Sequence, residues 1–469
     1  MGVGLFLPFC IWGQQGETKL SPDEMNNDID SLISILKVSH PYPTGYADPL
    51  EWERAVQMAH DSCNIGARSK LEFALIVGRL LQNMEDSHTQ VHIKGLWNQH
   101  LNNDYRFVPL KKIGNRLSKD PLHRIPLGSE LLSFNGVALQ SIIDKTAPLA
   151  LMEHDSHDGL NRQQDELFPV YYSVFYLQQQ DSIQVKYKDL SGAIKSTWYP
   201  TWDKRDKERY QKKNKVLYSD LPKIEFHNDT AYIAIASFAP QKMGKQNRMI
   251  RSFFKQCARK KMNHLVIDLR DNTGGKSTEV EYLMSFLLKD GYNAPDNIIA
   301  KRSDLADSRV KPLKRKLVRT FLKIILRRNE DIQRYIDLME LKQGDVDTLF
   351  FNKKIQQKKW IYQGEKHLWV NGLSASASVD FTQAWKKNNL GTIWGQCIMG
   401  NDRGTFGNAA LVTLPASKLP ISVATIRYNY SRAFKFESPN ICPDIRIKHT
   451  LENIIHGTDP YWSAFRKKI

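Results

Sequence analysis

A run of small residues, Gly372-Leu373-Ser374-Ala375-Ser376-Ala377-Ser378, follows the apolar segment Leu368-Trp369-Val370. Such a run lets a strand bend sharply into a helix and holds a hydroxyl beside the first amides of that helix. Partial positive charge there stabilises a developing anion. Hydrolytic nucleophiles need that setting. Three serines share the run, and its composition does not choose among them. It is not the nucleophile elbow of the α/β-hydrolases, because GxSxG does not occur.

Two further places carry residue types suited to acyl transfer. Gly274-Gly275 follows the apolar run His264 to Leu269, and paired glycines allow close backbone approach and presentation of N–H groups. Gly275-Lys276-Ser277 copies the end of a phosphate-binding loop, but that pattern needs glycine where Arg270 stands. Ser87-His88 lies at a polar turn closing a helical segment. An imidazole there, beside a hydroxyl, suits a general base near neutral pH. Glu437, in Phe436-Glu437-Ser438-Pro439, draws no attention by itself.

The elements that must position these residues are legible in outline. Ser21-Pro22-Asp23-Glu24 reads as a capped helix start, with Met25, Ile29, Leu32, Ile33 and Leu36 at helical spacing. Helices are expected over Pro49 to Ala59 and Ser69 to Met84. Residues 105–200 read as short strands and turns, with Asn135-Gly136 a tight-turn signal. From about residue 215, strand, turn and helix alternate, which predicts an α/β layered core. The domains expected are a signal segment over 1–19, a helical region over 20–100, a β-rich module over 101–205, and an α/β domain over 206–469. That last domain carries a basic helical insertion near 305–345.

These segments together resemble the tail-specific, or C-terminal-processing, serine peptidases of the S41 type, relatives of tricorn protease. HLVIDLRDNTGG (264–275) is similar to that family's IDLRxNxGG, and NGLSASAS (371–378) to its nucleophile turn. LEFALIVGRLLQNMEDSHT (71–89) resembles its N-terminal helix and DxHT turn, and IPLGSELLSFNGVAL (125–139) its PDZ-like module. TIWGQ (392–396) resembles the strand after the nucleophile, and Asn440 to Ile445 the GVxPDI close. Gln396 and Asn440 depart from the usual Glu and Gly.

The resemblance implies a crotonase-like catalytic core and a serine endopeptidase acting through an acyl-enzyme. Ser376 is then the nucleophile, with Ser374 and Ser378 in support, and His88 is the base, aided by Ser87 and Glu437. The amides of Gly274 or Gly275, and of Ala377, form the oxyanion hole. One branch of the family uses a lysine base, and Asn401 occupies that position here. The Ser/His/Glu branch is therefore expected. No metal or cofactor is implied, and the substrate is a protein or peptide. A non-catalytic peptide- or lipid-binding protein on the same fold is the alternative.

Composition bounds the rest. With 41% hydrophobic and 25% charged residues the chain reads as a globular protein, and it has no apolar stretch long enough to span a membrane. The net charge of +17 suits anionic partners. The cluster from Lys301 to Arg334 reads as a solvated helical face, with contact to an anionic membrane as the minority reading. No nucleic-acid-binding fingerprint occurs. Gly4 to Trp12 looks like the tail of a signal peptide, so export to a bacterial periplasm or the extracellular space is expected. Cys10, Cys63, Cys257, Cys397 and Cys442 form neither a CxxC pair nor a recognisable disulfide framework.

Overall fold

The computed structural model describes residues 19–93, 95–96, 106–153, 156–177, 180–213, 220–288, 297–309, 340–350, 358–402, 404–429 and 440–469. Residues 1–18 of the expected signal segment, residues 310–339 of the basic insertion and Glu437 lie outside them.

Three capped helices open the chain. In α1 (Pro22–Ser39), Ser21 and Glu24 form a reciprocal capping box, and Met25, Ile29, Leu32 and Leu36 are buried. The helix α2 (Pro49–Asn64) is capped by Asp48, and α3 (Lys70–Gln82) by a second box, Ser69 with Glu72. Their apolar faces do not form a separate core. They share one with Leu414, Leu419, Ile421 and Val423 from near the other end of the chain. The link is built into a sheet: β1 (Gln90–Val91), just after the His88 turn, pairs antiparallel with β17 (Pro420–Val423). Thr89 Oγ1 also accepts a hydrogen bond from Ala424 N. The helical region thus holds His88 directly against the C-terminal half.

The middle module is an antiparallel sheet of β2 (Lys111–Ile113), β3 (Arg116–Lys119), β4 (Glu130–Phe134), β6 (Ser182–Lys188) and β7 (Ile194–Pro200). A short β5 (Val137–Ala138) folds back on β4. Asn135 and Gly136 take φ of 46° and 79° between β4 and β5. Two positive φ values in a two-residue turn match the right-handed strand twist. The expectation of strands and turns alone needs correction. The helices α4 (Leu139–Thr146) and α5 (His157–Tyr172) complete the module, and Phe168 and Tyr172 of α5 pack on Phe134. Gly159 and Pro169 inside α5 mask its helical pattern.

The third unit is a mostly parallel six-stranded sheet, running from the strand at Ile445–Arg446 on one edge to the strand at Lys223–His227 on the other. Its strands are β8 (Lys223–His227), β9 (Thr230–Ala234), β10 (His264–Asp268), β13 (Glu365–Val370), β14 (Thr392–Gly395) and β19 (Ile445–Arg446). Only β8 runs antiparallel to its neighbour. One face packs on α7 (Met243–Lys260), α8 (Ser277–Met284) and α10 (Ala377–Lys387) through Leu265, Ile267, Leu368, Phe253, Leu283 and Phe381. The other face, with Val266, Trp369 and Trp394, packs on Tyr461 and Phe465 of the C-terminal helix α12 (Pro460–Lys468). This two-sided burial explains the near-continuous apolar strands.

One cysteine expectation is overturned. Cys397 and Cys442 are disulfide-bonded, 45 residues apart in sequence, while Cys63 and Cys257 are free and buried. The pairing arises outside the strands, where the segment after β14 runs antiparallel to the one before β19: Ile398 N donates to Ile441 O at 3.0 Å, and Asn401 bridges Asn440. No described helix is long and apolar enough to cross a membrane.

Candidate active site

Strands β10 and β13 run parallel and adjacent, with Asp268 opposite Trp369. The loops that leave their carboxyl ends, 269–276 and 371–376, must therefore meet, and such ends are where layered α/β sheets place ligands. The two loops are laced together. Asn371 Oδ1 accepts from Asp271 N at 3.0 Å, and Asn272 O accepts from Ala375 N at 3.1 Å. Arg270 anchors the arrangement from below. Its guanidinium pairs with Asp268 and Asp459 and stacks on Tyr461.

The three serines of the turn separate cleanly. Ser374 is fully buried; its Oγ donates to Leu269 O at 2.8 Å and accepts from Asn371 N at 3.1 Å. Ser378 is fully buried, and its Oγ donates to Asn272 O at 2.8 Å. Both hydroxyls bind one loop to the other. Ser376 is half-buried and stands at the N-cap of α10 with φ 53° and ψ −118°. A non-glycine residue there is strained, and such strain collects at functional turns. Replacing Ser374 by Ala should cost about 1–3 kcal/mol by stranding Asn371 N, while Leu269 O keeps its bond from Asn272 N. Its chemistry should survive within about tenfold, measured by thermal unfolding beside a peptide assay.

His88 comes to Ser376 across 288 residues of sequence: its Nε2 lies 3.2 Å from Ser376 Oγ. Asp86 fixes the turn by accepting from His88 N at 2.8 Å, and it pairs with the buried His40 at 3.0 Å. On the far side of the ring, Nδ1 lies 3.3 Å from Ser87 Oγ, 3.7 Å from Asp86 and 3.9 Å from Glu153. Ser87 Oγ in turn donates to Glu153 Oε2. With Nδ1 protonated, a chain runs from imidazole to Ser87 hydroxyl to Glu153 carboxylate. Nε2 is then left as the acceptor facing Ser376.

The electrostatics favour a protonatable base. Burial alone would lower the His88 pKa, but Asp86, Glu153 and Asp380 together hold it above its ordinary value. Asp86 is buried, which opposes ionisation, yet hydrogen bonds with His40 and His88 keep its carboxyl well below the usual range. Burial pushes Glu153 up to about 7, against the pull of His88. Asp380, one turn along α10 from Ser376, is likewise raised to about 7 by burial.

The glycines have specific work. A Cβ on Gly274 would stand 2.6 Å from Ser376 Cβ, and one on Gly275 would stand 2.3 Å from the carbonyl carbon of Phe238. Both take positive φ, 106° and 145°. Gly274 N–H donates to Asn272 Oδ1 at 2.9 Å. The amides of Gly275 and Ala377 have no acceptor among the described residues. Of the expected set, Ser376, His88, Ser87, Gly274, Gly275 and Ala377 come together. Asp86, Glu153, His40 and Asp380 are additions that sequence reasoning missed.

Residues 229–447 match the model of Peptidase family S41. The match runs from the start of β9 to just past β19 and includes Gly274, Gly275 and Ser376; His88 lies before it. No curated protein matches the sequence. The crystal structure of mature CPAF is similar, with a TM-score of 0.63 at 13% identity, covering 95% of this chain and 95% of that one. Mature CPAF complexed with lactacystin is similar too, with a TM-score of 0.64 at 14% identity, covering 95% of this chain and 97% of that one. At such identities the likeness is one of fold.

Proposed function

We propose that this chain is an S41-type serine endopeptidase in which Ser376 attacks the peptide carbonyl and His88 is the general base. The observation that carries it is the 3.2 Å contact between His88 Nε2 and Ser376 Oγ. Ser376 Oγ bonds to the carbonyl carbon while its proton passes to Nε2. The resulting oxyanion receives the N–H groups of Gly275 and Ala377, and the first amides of α10 favour its charge. His88 then gives the proton to the leaving amine. Water, deprotonated by His88, hydrolyses the ester and restores Ser376. Gly274 N–H is engaged with Asn272, so its role is to leave room for Ser376.

Ser87 and Glu153 orient His88 through the chain at Nδ1, and Asp86 adds charge and holds the turn. Glu437 remains a proposed contributor outside the described residues. The middle module is proposed to be PDZ-like and to hold the peptide. A cavity of about 1010 Å³ between it and the catalytic loops supports this; Leu131, Ile143, Arg162, Asp271 and Asn371 line it. It contains neither Ser376 nor His88, so it suits a remote stretch of substrate. Export to an oxidising compartment is proposed on the Cys397–Cys442 bond.

Hydrolysis of casein and a peptide library, with products sequenced, tests the activity. Cleavage by the wild-type protein that Ser376→Ala lacks is expected; peptide binding without cleavage would favour a non-catalytic protein. A second expected outcome concerns pH. His88 is held above 6.5, so kcat/KM should rise with pH through an inflection above that value. Glu153→Gln removes a charge that favours imidazolium, so the inflection should move down. Activity should also fall, about 10- to 100-fold, within the range of acid–base contributions. An unmoved pH profile would remove Glu153 from the role.

A further inference from the structure

The amino ends of the same two central strands carry a second cluster. His264 opens β10 and Glu365 opens β13, and they are direct partners in the parallel register. His367 lies two residues along β13 and so on the same face. Glu365 Oε2 lies 3.3 Å from His264 Nδ1 and 3.9 Å from His367 Nε2. One ligand atom from each of the three residues lies within 4.8 Å of the others. In sequence, Glu365-Lys366-His367 and a histidine 101 positions earlier give no sign of this meeting, which only the register creates.

The cluster is unfinished as protein. The His367 side chain is 7% exposed, yet among the described residues neither of its ring nitrogens has a hydrogen-bond partner, and His264 Nδ1 has none either. Buried polar atoms are rarely left so, because their desolvation is uncompensated. Lys468 of α12 places a positive charge near His367. The opposite nitrogen of His264, Nε2, faces Asp229 Oδ2 at 3.7 Å. A carboxylate behind a ligating imidazole is the usual outer support of a metal-bound histidine. Phe465 of α12 backs both rings, at centroid distances of 4.9 Å from His367 and 6.5 Å from His264.

We propose that His264 Nδ1, His367 Nε2 and the Glu365 carboxylate bind one divalent transition-metal ion of the zinc class, with water completing a tetrahedral set. Bonds of about 2.0–2.2 Å put tetrahedral ligand atoms about 3.4 Å apart. The 3.3 Å pair already fits, and the 3.9 Å pair needs to close by about half an ångström, within reach of the exposed Glu365 side chain. Two imidazoles and one carboxylate suit zinc, nickel or copper far better than calcium or magnesium, which take oxygen ligands. The Lys468 charge opposes the ion and limits its affinity. The ion would clip β10 to β13 beneath α12, at the end of the strands away from Ser376. It takes no part in peptide hydrolysis and is independent of that proposal.

Equilibrium dialysis of chelator-stripped protein against Zn²⁺, followed by metal analysis, tests it. One ion per chain is expected, with Mg²⁺ unable to displace it. Glu365→Gln, on a side chain exposed enough to leave the fold intact, and His367→Ala should each weaken binding at least about tenfold. His88→Ala should bind as the wild type does. No retained zinc, or equal retention by Glu365→Gln and His367→Ala, would overturn the site. So would loss of zinc in His88→Ala alone, which would put the ion among Asp86, His88 and Glu153.

Discussion

Ser376→Ala is expected to lower kcat by about 10⁴- to 10⁶-fold, the scale seen when a hydrolytic serine is removed. Folding should be almost untouched, because the half-buried Ser376 hydroxyl has one described partner, His88. Neighbouring serines provide the internal control. Ser374 and Ser378 hold the turn to the 269–272 loop from buried positions, so their alanine variants should lose stability before chemistry. Circular dichroism and thermal unfolding beside kcat and KM on one peptide substrate separate the cases. Near-normal turnover by Ser376→Ala with an inactive, folded Ser374→Ala would move the nucleophile two residues along the turn.

His88→Ala is expected to be nearly as damaging, about 10³- to 10⁵-fold in kcat, since the serine then lacks both proton acceptor and donor. Its signature is non-additivity. Groups that act as one unit cannot each be lost twice, so the double variant with Ser376→Ala should be no slower than Ser376→Ala alone. Whatever activity remains in His88→Ala should also lose the wild-type inflection above pH 6.5. Losses that multiply in the double variant would mean that His88 acts outside the path of the proton. His88→Gln keeps most of the bulk without a proton-accepting ring nitrogen, so it should preserve folding if the alanine variant does not.

Much of this architecture is written locally. Ser21, Asp48 and Ser69 announce their helices through caps, and Asn135-Gly136 announces its hairpin. The apolar strands before Gly274 and Gly372 announce the loops that carry the site. What escaped depends on long-range register. Asp86 and His40 are 46 residues apart and meet only after α1 and α3 pack. Glu153 sits in an irregular stretch between α4 and α5, where no periodicity marks a buried carboxylate. Small residues alone could not choose among Ser374, Ser376 and Ser378, because the choice is made by hydrogen bonds to a loop about a hundred residues away. Cys397 and Cys442 looked unrelated for the same reason: the segments that carry them meet only once the sheet is assembled.

Covalent labelling by a fluorophosphonate, followed across pH with the modified peptide sequenced, reaches the central claim in one measurement. A single adduct on Ser376 is expected, at a rate that rises through an inflection above pH 6.5 and collapses in His88→Ala. An adduct on another residue, or a Ser376 adduct whose rate ignores both pH and His88, would contradict the pairing of this serine with this histidine.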